Sequence, residues 1–322
     1  MNVRYLPESV VPGSDRVAVG RVSFGIGIPQ VVQGSHFDLV VLRETLQAAE
    51  ELGFHSAWIM DQALTTAPAL EAITTLGYAA ALTDSVRLGT GVLLTALRQP
   101  VQLARHLATL DQLSSGRLIL GVGLGERSSY DPAFGVVPSH RAARFVESLE
   151  LLKRLWTENG VTFSGRFWQT EGLTMEPKPF QKPHPPIWFG GGSKPAIDRA
   201  VRNGEGWMGA GNSTVGQFTE QVSLLREALD ATGRDPASFT IAKRVYLAVS
   251  RDPDRSLERM RAWSTVFYGD TTMADTAAVV GDLELCLGGL SEVSSSGADL
   301  IVLNPVFDVI DQMKLLAPAI AV

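Results

Sequence analysis

Short apolar runs alternate with longer amphipathic stretches along most of this chain. Eight of the runs read as strands: 22–28, 56–60, 86–94, 117–124, 187–191, 206–210, 240–249 and 299–303. Most are continuously apolar, as expected of parallel strands covered on both faces. The segments between them carry the period of helices. Phe37, Val40, Val41, Ala48, Ala49 and Leu52 fall on one face of the first, and Gly53 supplies a stop signal. Ala142, Phe145, Leu149, Leu152 and Trp156 recur at helical spacing and define a second. Eight strands alternating with helices predict an α/β protein built as a (β/α)8 TIM barrel, with an open doubly wound sheet as the alternative.

The alternation is broken once. Residues 125–186 separate the fourth strand from the fifth, roughly twice the length one βα unit uses. The excess holds the second helix, a predicted hairpin over 161–168 and a proline-rich return, EPKPFQKPHPP. Insertions at the C-terminal ends of barrel strands overhang the active site. The insertion, about 126–185, is therefore read as a lid or pocket wall, against a plain packing excursion. The prediction is one barrel domain, 1–322, carrying it.

Composition narrows the function classes. The 322 residues are 45% hydrophobic, enough for a large core. A net charge of −6 without a basic block argues against nucleic acid as the main partner. The single cysteine, Cys286, allows no internal disulfide and no cysteine-rich metal site. The five histidines show no metal-ligand spacing, so no metal is predicted. No signal-type segment and no run near the ~18 apolar residues of a spanning helix is present, which predicts a cytoplasmic protein off the membrane. No G-x-S-x-G and no Walker loop occurs.

Four stretches carry candidate chemistry. In PPIWFGGGSKPA, 185–196, an apolar strand runs into glycines, then Ser193, Lys194 and Pro195. Glycines let backbone N–H groups approach an anion ahead of a helix N-terminus, and Ser193 adds a hydroxyl. The same residues also make a well-capped turn that binds nothing. In GVGLGERSS, 121–129, the dinucleotide fingerprint G-x-G-x-x-G fails because Glu126 holds its last position. Glu126 instead sits at a strand end, where barrels place catalytic groups. Asp61, after the strand SAWIM, is a carboxylate in a similar place, able to act in proton transfer or merely to cap. In LGTGVLLTALRQP, 88–100, Gly91 marks a bulge or a close approach, and Arg98 could meet an anion or a carboxylate.

Taken in order, these pieces resemble the bacterial luciferase-like superfamily, barrel enzymes that use FMN or the deazaflavin F420. The resemblance rests on RHLATLDQLSSGRLILGVGLGE (105–126), HRAARFVESLELL, PPIWFGGGSKPAIDRAVRNGEGW (185–207), FGIGIP and WIMDQ, and covers most of 21–305. It implies that Gly191, Gly192 and Ser193, with Lys194 beside them, contact the cofactor phosphate. It implies that Gly91-Val92 forms a bulge behind the isoalloxazine ring, often with a non-prolyl cis peptide. Asp61 would line the cofactor site and help position ring or substrate. Glu126 matches the proton donor, and Ser129 a ring-side asparagine, of an F420-dependent sugar-phosphate dehydrogenase.

Gln62 stands where that dehydrogenase has a catalytic histidine, and a neutral amide cannot act as a general base. This departure argues against sugar-phosphate oxidation. The resemblance thus implies an F420-dependent oxidoreductase moving a hydride to or from a small organic molecule. Lys194, Arg127 and Arg98 are candidate cations for the acidic F420 tail. The alternatives are an FMN-dependent monooxygenase served by a partner reductase, a non-catalytic flavin-binding protein, and a cofactor-free barrel lyase or isomerase. A homodimer is expected from the resemblance.

Overall fold

The computed structural model describes residues 22–31, 37–62, 64, 68–125 and 130–320. Its strands are β1 (Ser23–Gly27), β2 (Ser56–Ile59), β3 (Arg87–Thr90), β4 (Leu118–Val122), β5 (Val161–Ser164), β6 (Gln169–Leu173), β7 (Ile187–Gly190), β8 (Gly206–Gly209), β9 (Thr240–Val249), β10 (Val279–Gly281) and β11 (Leu300–Asn304). The helices are α1 (Leu39–Glu51), α2 (Ala72–Leu82), α3 (Pro100–Leu113), α4 (Arg141–Thr157), α5 (Lys194–Asn203), α6 (Val215–Thr232), α7 (Pro253–Tyr268), α8 (Thr272–Thr276), α9 (Leu283–Ser295) and α10 (Val309–Ile320).

Strands β1, β2, β3, β4, β7, β8, β9 and β11 pair in parallel, each with the next, and β11 returns to β1. The sheet closes into the eight-stranded barrel that the apolar runs predict. Every predicted run supplies one barrel strand. The third is shorter than expected, because after Thr90 the chain leaves the ladder and touches β4 again only through Leu93 and Val122.

Three local expectations are corrected. The hairpin pairs β5 with β6, so residues 165–168 form its turn rather than its second strand. Gly165 N–H donates to Trp168 O across the turn, and the other three N–H groups go to a carboxylate: Glu147 accepts from Arg166, Phe167 and Trp168. In α1, Asp38 caps the start and Leu42, Thr45, Leu46 and Ala49 face inward, leaving Val40 at 59% exposure. Ala142 likewise faces out, while Phe145, Leu149, Leu152 and Trp156 are buried. Strand β10 was not predicted; it is too short to carry a period, and pairs with the last residues of β9 beyond the part that pairs with β11.

One apolar layer fills the space between sheet and helices. A separate plug fills the barrel itself, made of Trp58, Ile119, Trp188, Met208, Ala242, Leu300 and Val302. Its two indoles lie 5.3 Å apart, and Gly89 leaves the room Trp58 needs, since a Cβ there would overlap the ring. With side chains alternating along a strand, the next inward positions toward the C-terminal ends of β1, β3, β4 and β7 are Gly27, Gly91, Gly121 and Gly190, with Gly123 one step beyond Gly121. The plug thus stops short of the C-terminal end and leaves a mouth lined largely by backbone.

Candidate active site at the barrel mouth

The chain departs from β3 at a cis Gly91–Val92 peptide. The Val92 side chain turns over the mouth into space left by two glycines, and a Cβ on either Gly123 or Gly190 would crowd it. The bulge is tied on all sides. Gly91 N–H donates to Ile59 O at 2.7 Å, Leu93 N–H to Gly121 O at 2.7 Å, and Gly123 N–H back to Leu93 O at 3.1 Å.

Asp61 braces the same bulge. One carboxylate oxygen accepts from Leu94 N–H and the other from Arg98 Nη2, both at 2.9 Å, and its side chain is 2% exposed. Arg98 continues to Glu71 at 3.0 Å. This arginine is therefore committed to two carboxylates. The neighbouring Gln62 has its Oε1 buried without a partner among the described residues.

After β7 the chain turns through Gly191, at φ +108°, a conformation suited to glycine. Trp207 Nε1 holds the Gly191 carbonyl at 2.9 Å. Ser193 has the backbone geometry of an N-cap, yet its hydroxyl caps nothing and it is exposed. The Gly192 and Ser193 N–H groups have no acceptor among the described residues. A hydroxyl and two N–H groups are thus left for an anion at a helix start. From α6 the Gln221 amide packs where a Gly192 Cβ would be, and its Oε1 is buried without a partner. Lys194 lies along α5 toward Asp198 at 3.1 Å, in an exposed i,i+4 pair.

Two cations in the middle of apolar β9 were not singled out from sequence, although their place in such a strand is itself a signal. Arg244 reaches across the barrel and donates from Nη1 to the Gly91 carbonyl at 3.1 Å, and from Nη2 to the Tyr268 hydroxyl at 3.4 Å. Its Nε is buried and unpartnered, and no carboxylate faces it among the described residues. Tyr268 is 2.9 Å from the Tyr246 hydroxyl, and burial pushes the Tyr246 phenol well above its ordinary range, so Tyr246 cannot serve as a counter-anion. Arg244 is a permanent charge fixed beside the bulge. Lys243 points the other way. Its Nζ donates to Ala210 O, and to Ser213 O and Oγ at 2.8 Å each, holding the loop after β8. Burial, then the charge of Arg244, bring it down to about 7.

At the C-terminal ends of β1, β2 and β11 opens a cavity of about 570 Å³, which reaches the bulge only through Trp58, the ring that packs against Gly91. It runs from Gly27, Trp58, Met60 and Asn304 at the barrel ends outward between α1, α7 and α10.

The fold therefore brings Asp61 against Val92 and Leu94 of the bulge, with Gly190 close to Val92 and leading into Gly191, Gly192 and Ser193. Lys194 and Arg98 are spent on carboxylates. Glu126, Arg127 and Ser129 lie outside the described residues. Among the described residues nearby, Arg141 donates to Leu124 O and pairs with buried Asp131 at 3.4 Å. The described residues hold no cluster of metal ligands and no helix long and apolar enough to cross a membrane.

Residues 21–284 match the family model for luciferase-like monooxygenase. The chain is 34% identical over 225 residues to an F420-dependent glucose-6-phosphate dehydrogenase of Kineococcus radiotolerans, covering 67% of this chain and 66% of that one. It is 31% identical over 223 residues to an FMNH(2)-dependent dimethylsulfone monooxygenase of Pseudomonas putida, covering 67% and 60%. The match thus spans just under two thirds of these relatives' lengths. Among solved structures, monooxygenase RslO1 from Streptomyces bottropensis superposes with a TM-score of 0.81 at 27% identity, covering 93% of this chain and 99% of that one.

Proposed function

Because the chain belongs to the luciferase-like monooxygenase family, we propose that it is an oxidoreductase that binds F420 and exchanges a hydride between it and a small organic substrate. The observation that carries this reading is one mouth holding both a phosphate-ready turn and a braced bulge. The residues present fit such a group. Ser193 Oγ and the Gly192 and Ser193 N–H groups are free for its phosphate, Val92 offers an apolar surface to its ring, and Arg244 holds the carbonyl behind that surface.

When bound, the deazaflavin supplies the carbon that accepts or gives the hydride. The protein contributes position. Asp61, with both oxygens engaged, acts through the bulge and not as a proton shuttle. Glu126 moves the proton. Glu126→Gln is expected to lower turnover by about 100-fold while sparing cofactor affinity, which parallel steady-state kinetics and cofactor titration check; unchanged turnover removes the assignment.

The Kineococcus relative favours F420; the Pseudomonas relative favours the second reading, reduced FMN and oxygen with a partner reductase. Paired fluorescence titration with F420 and FMN separates them. Tight F420 with weak FMN binding supports hydride transfer. The reverse supports oxygen chemistry, and binding of neither ends the cofactor reading.

A further inference from the structure

The relatives include an enzyme named for a sugar phosphate, so the chemistry of the cavity at the C-terminal ends of β1, β2 and β11 is informative. Ile28, Phe37, Val41, Trp58, Trp263 and Phe307 supply apolar and aromatic walls. Charge is confined to the rim, where Asp38, Glu44, Asp308 and Asp311 outnumber Arg259 and Lys314. Arg259 is further neutralised: it grips Asp308 through two bonds, 2.5 and 3.2 Å, and lies 3.9 Å over the Phe307 ring. A phosphate dianion would enter against this rim and meet hydrocarbon inside, and among the described lining residues the one guanidinium, Arg259, is already paired. Arg244 is not part of the lining and is occupied by Gly91 and Tyr268.

Among the described residues two side-chain amides line the cavity, and they differ. Gln30 is consumed: its Oε1 accepts from Met60 N–H at 2.7 Å and its Nε2 donates to Met60 O at 2.8 Å. The side-chain amide of Asn304, at the C-terminal end of β11, has no hydrogen-bond partner among the described residues. Its amide lies flat over Gly27, where any Cβ would overlap Oδ1. An amide can both donate and accept, so it reads a hydroxyl or a carbonyl equally well.

We propose that the substrate is an uncharged, largely apolar molecule that presents one hydroxyl or carbonyl oxygen to Asn304. This rests on the cofactor reading for its use in catalysis, but not for its binding.

The test is calorimetric titration of the full chain, with and without saturating oxidised F420. The probes are benzyl alcohol, benzoate of the same shape, toluene and glucose 6-phosphate. Benzyl alcohol is expected to bind at least ~10-fold more tightly than benzoate, and glucose 6-phosphate to give no binding heat. Asn304→Leu should weaken benzyl alcohol about 5- to 10-fold and leave toluene unchanged. Gly27→Ala should do the same by displacing the amide. The proposal fails if benzoate or glucose 6-phosphate binds as tightly as benzyl alcohol, if no aromatic probe binds, or if Asn304→Leu weakens toluene equally. Cofactor binding with a preference for the anionic probes overturns this inference and leaves the cofactor reading standing. Benzyl alcohol binding by a protein that takes neither F420 nor FMN does the opposite.

Discussion

The two ends of the barrel treat their polar groups in opposite ways. At the N-terminal ends of the strands, almost every connection is stapled by a side chain. Glu50 takes the N–H groups of Asp84, Ser85 and Val86 ahead of β3. Arg117 makes five hydrogen bonds to Ser114, Thr83, Val86 and Ala80 ahead of β4. Gln181 ties the long insertion to Asp111 and Leu118, Glu205 accepts from Ile187, and Asp299 from Ile241. At the C-terminal ends, Arg244 Nε, Gln62 Oε1, the Ser193 hydroxyl and the Asn304 amide have no protein partner among the described residues. Polar groups shielded from water without a partner cost stability. Gln62 Oε1 and Arg244 Nε are buried in this way, as is Arg87 Nε at the start of β3, whereas the Ser193 hydroxyl is exposed; what sets the mouth apart is that several free polar groups lie there together. The same division is the rule for this fold, with stability at one face and chemistry at the other.

The largest expected effect tests the closed end. Arg117→Met leaves several buried carbonyls without donors and should cost about 2–4 kcal/mol in urea unfolding, with cofactor affinity unchanged. A matching loss of binding would break the division. Arg244→Met inverts the pattern. Removing a buried charge that has no carboxylate should leave stability level or raise it by up to ~2 kcal/mol, while cofactor affinity falls about 10-fold. A stability loss equal to that of Arg117→Met would place Arg244 with the structural residues.

Gly192→Ala sharpens the phosphate turn. Its Cβ displaces Gln221, so cofactor affinity should fall by roughly 3- to 10-fold at nearly constant melting temperature, read by the same titration.

The remaining effects lie in pH. Burial pushes Glu50 up, but the Ser85, Val86 and Asp84 N–H groups and the Ser85 hydroxyl outweigh it and hold the carboxyl at about 2 instead of 4.5. Its stabilisation is therefore present above pH 4.5 and lost as pH falls toward about 2. Lys243 has the other sign. Between pH of about 7 and 10.5 the unfolded chain holds a proton the folded one lacks, so stability rises with pH across that window. Urea midpoints against pH should show both slopes, the first flattened by Glu50→Gln and the second by Lys243→Met.

Much of this was legible in the residues. Continuous apolar runs gave all eight barrel strands, because parallel strands buried on both faces leave no polar alternation to blur them. The turn at 190–193 was legible because only glycines and a small hydroxyl residue suit it. The hairpin slipped because its turn is held by Glu147, a residue distant in sequence that no local pattern announces. Val40 misled because an apolar side chain at a helix start scores as core even where nothing covers it.

Sequence alone therefore determined the barrel, its order of elements and the family, since these follow from local period and from residue types suited to special backbone. Only the tertiary structure decided which polar groups are spent and which are free. Asp61 and Arg98 looked available and are consumed by each other. Arg244 and Asn304 looked like strand residues and face the mouth. Partnership across 37 residues for the first pair is set by the pairing of β2 with β3, and across 153 between Arg244 and Gly91 by barrel closure. Closure brings together side chains whose separation in sequence carries no trace of their contact.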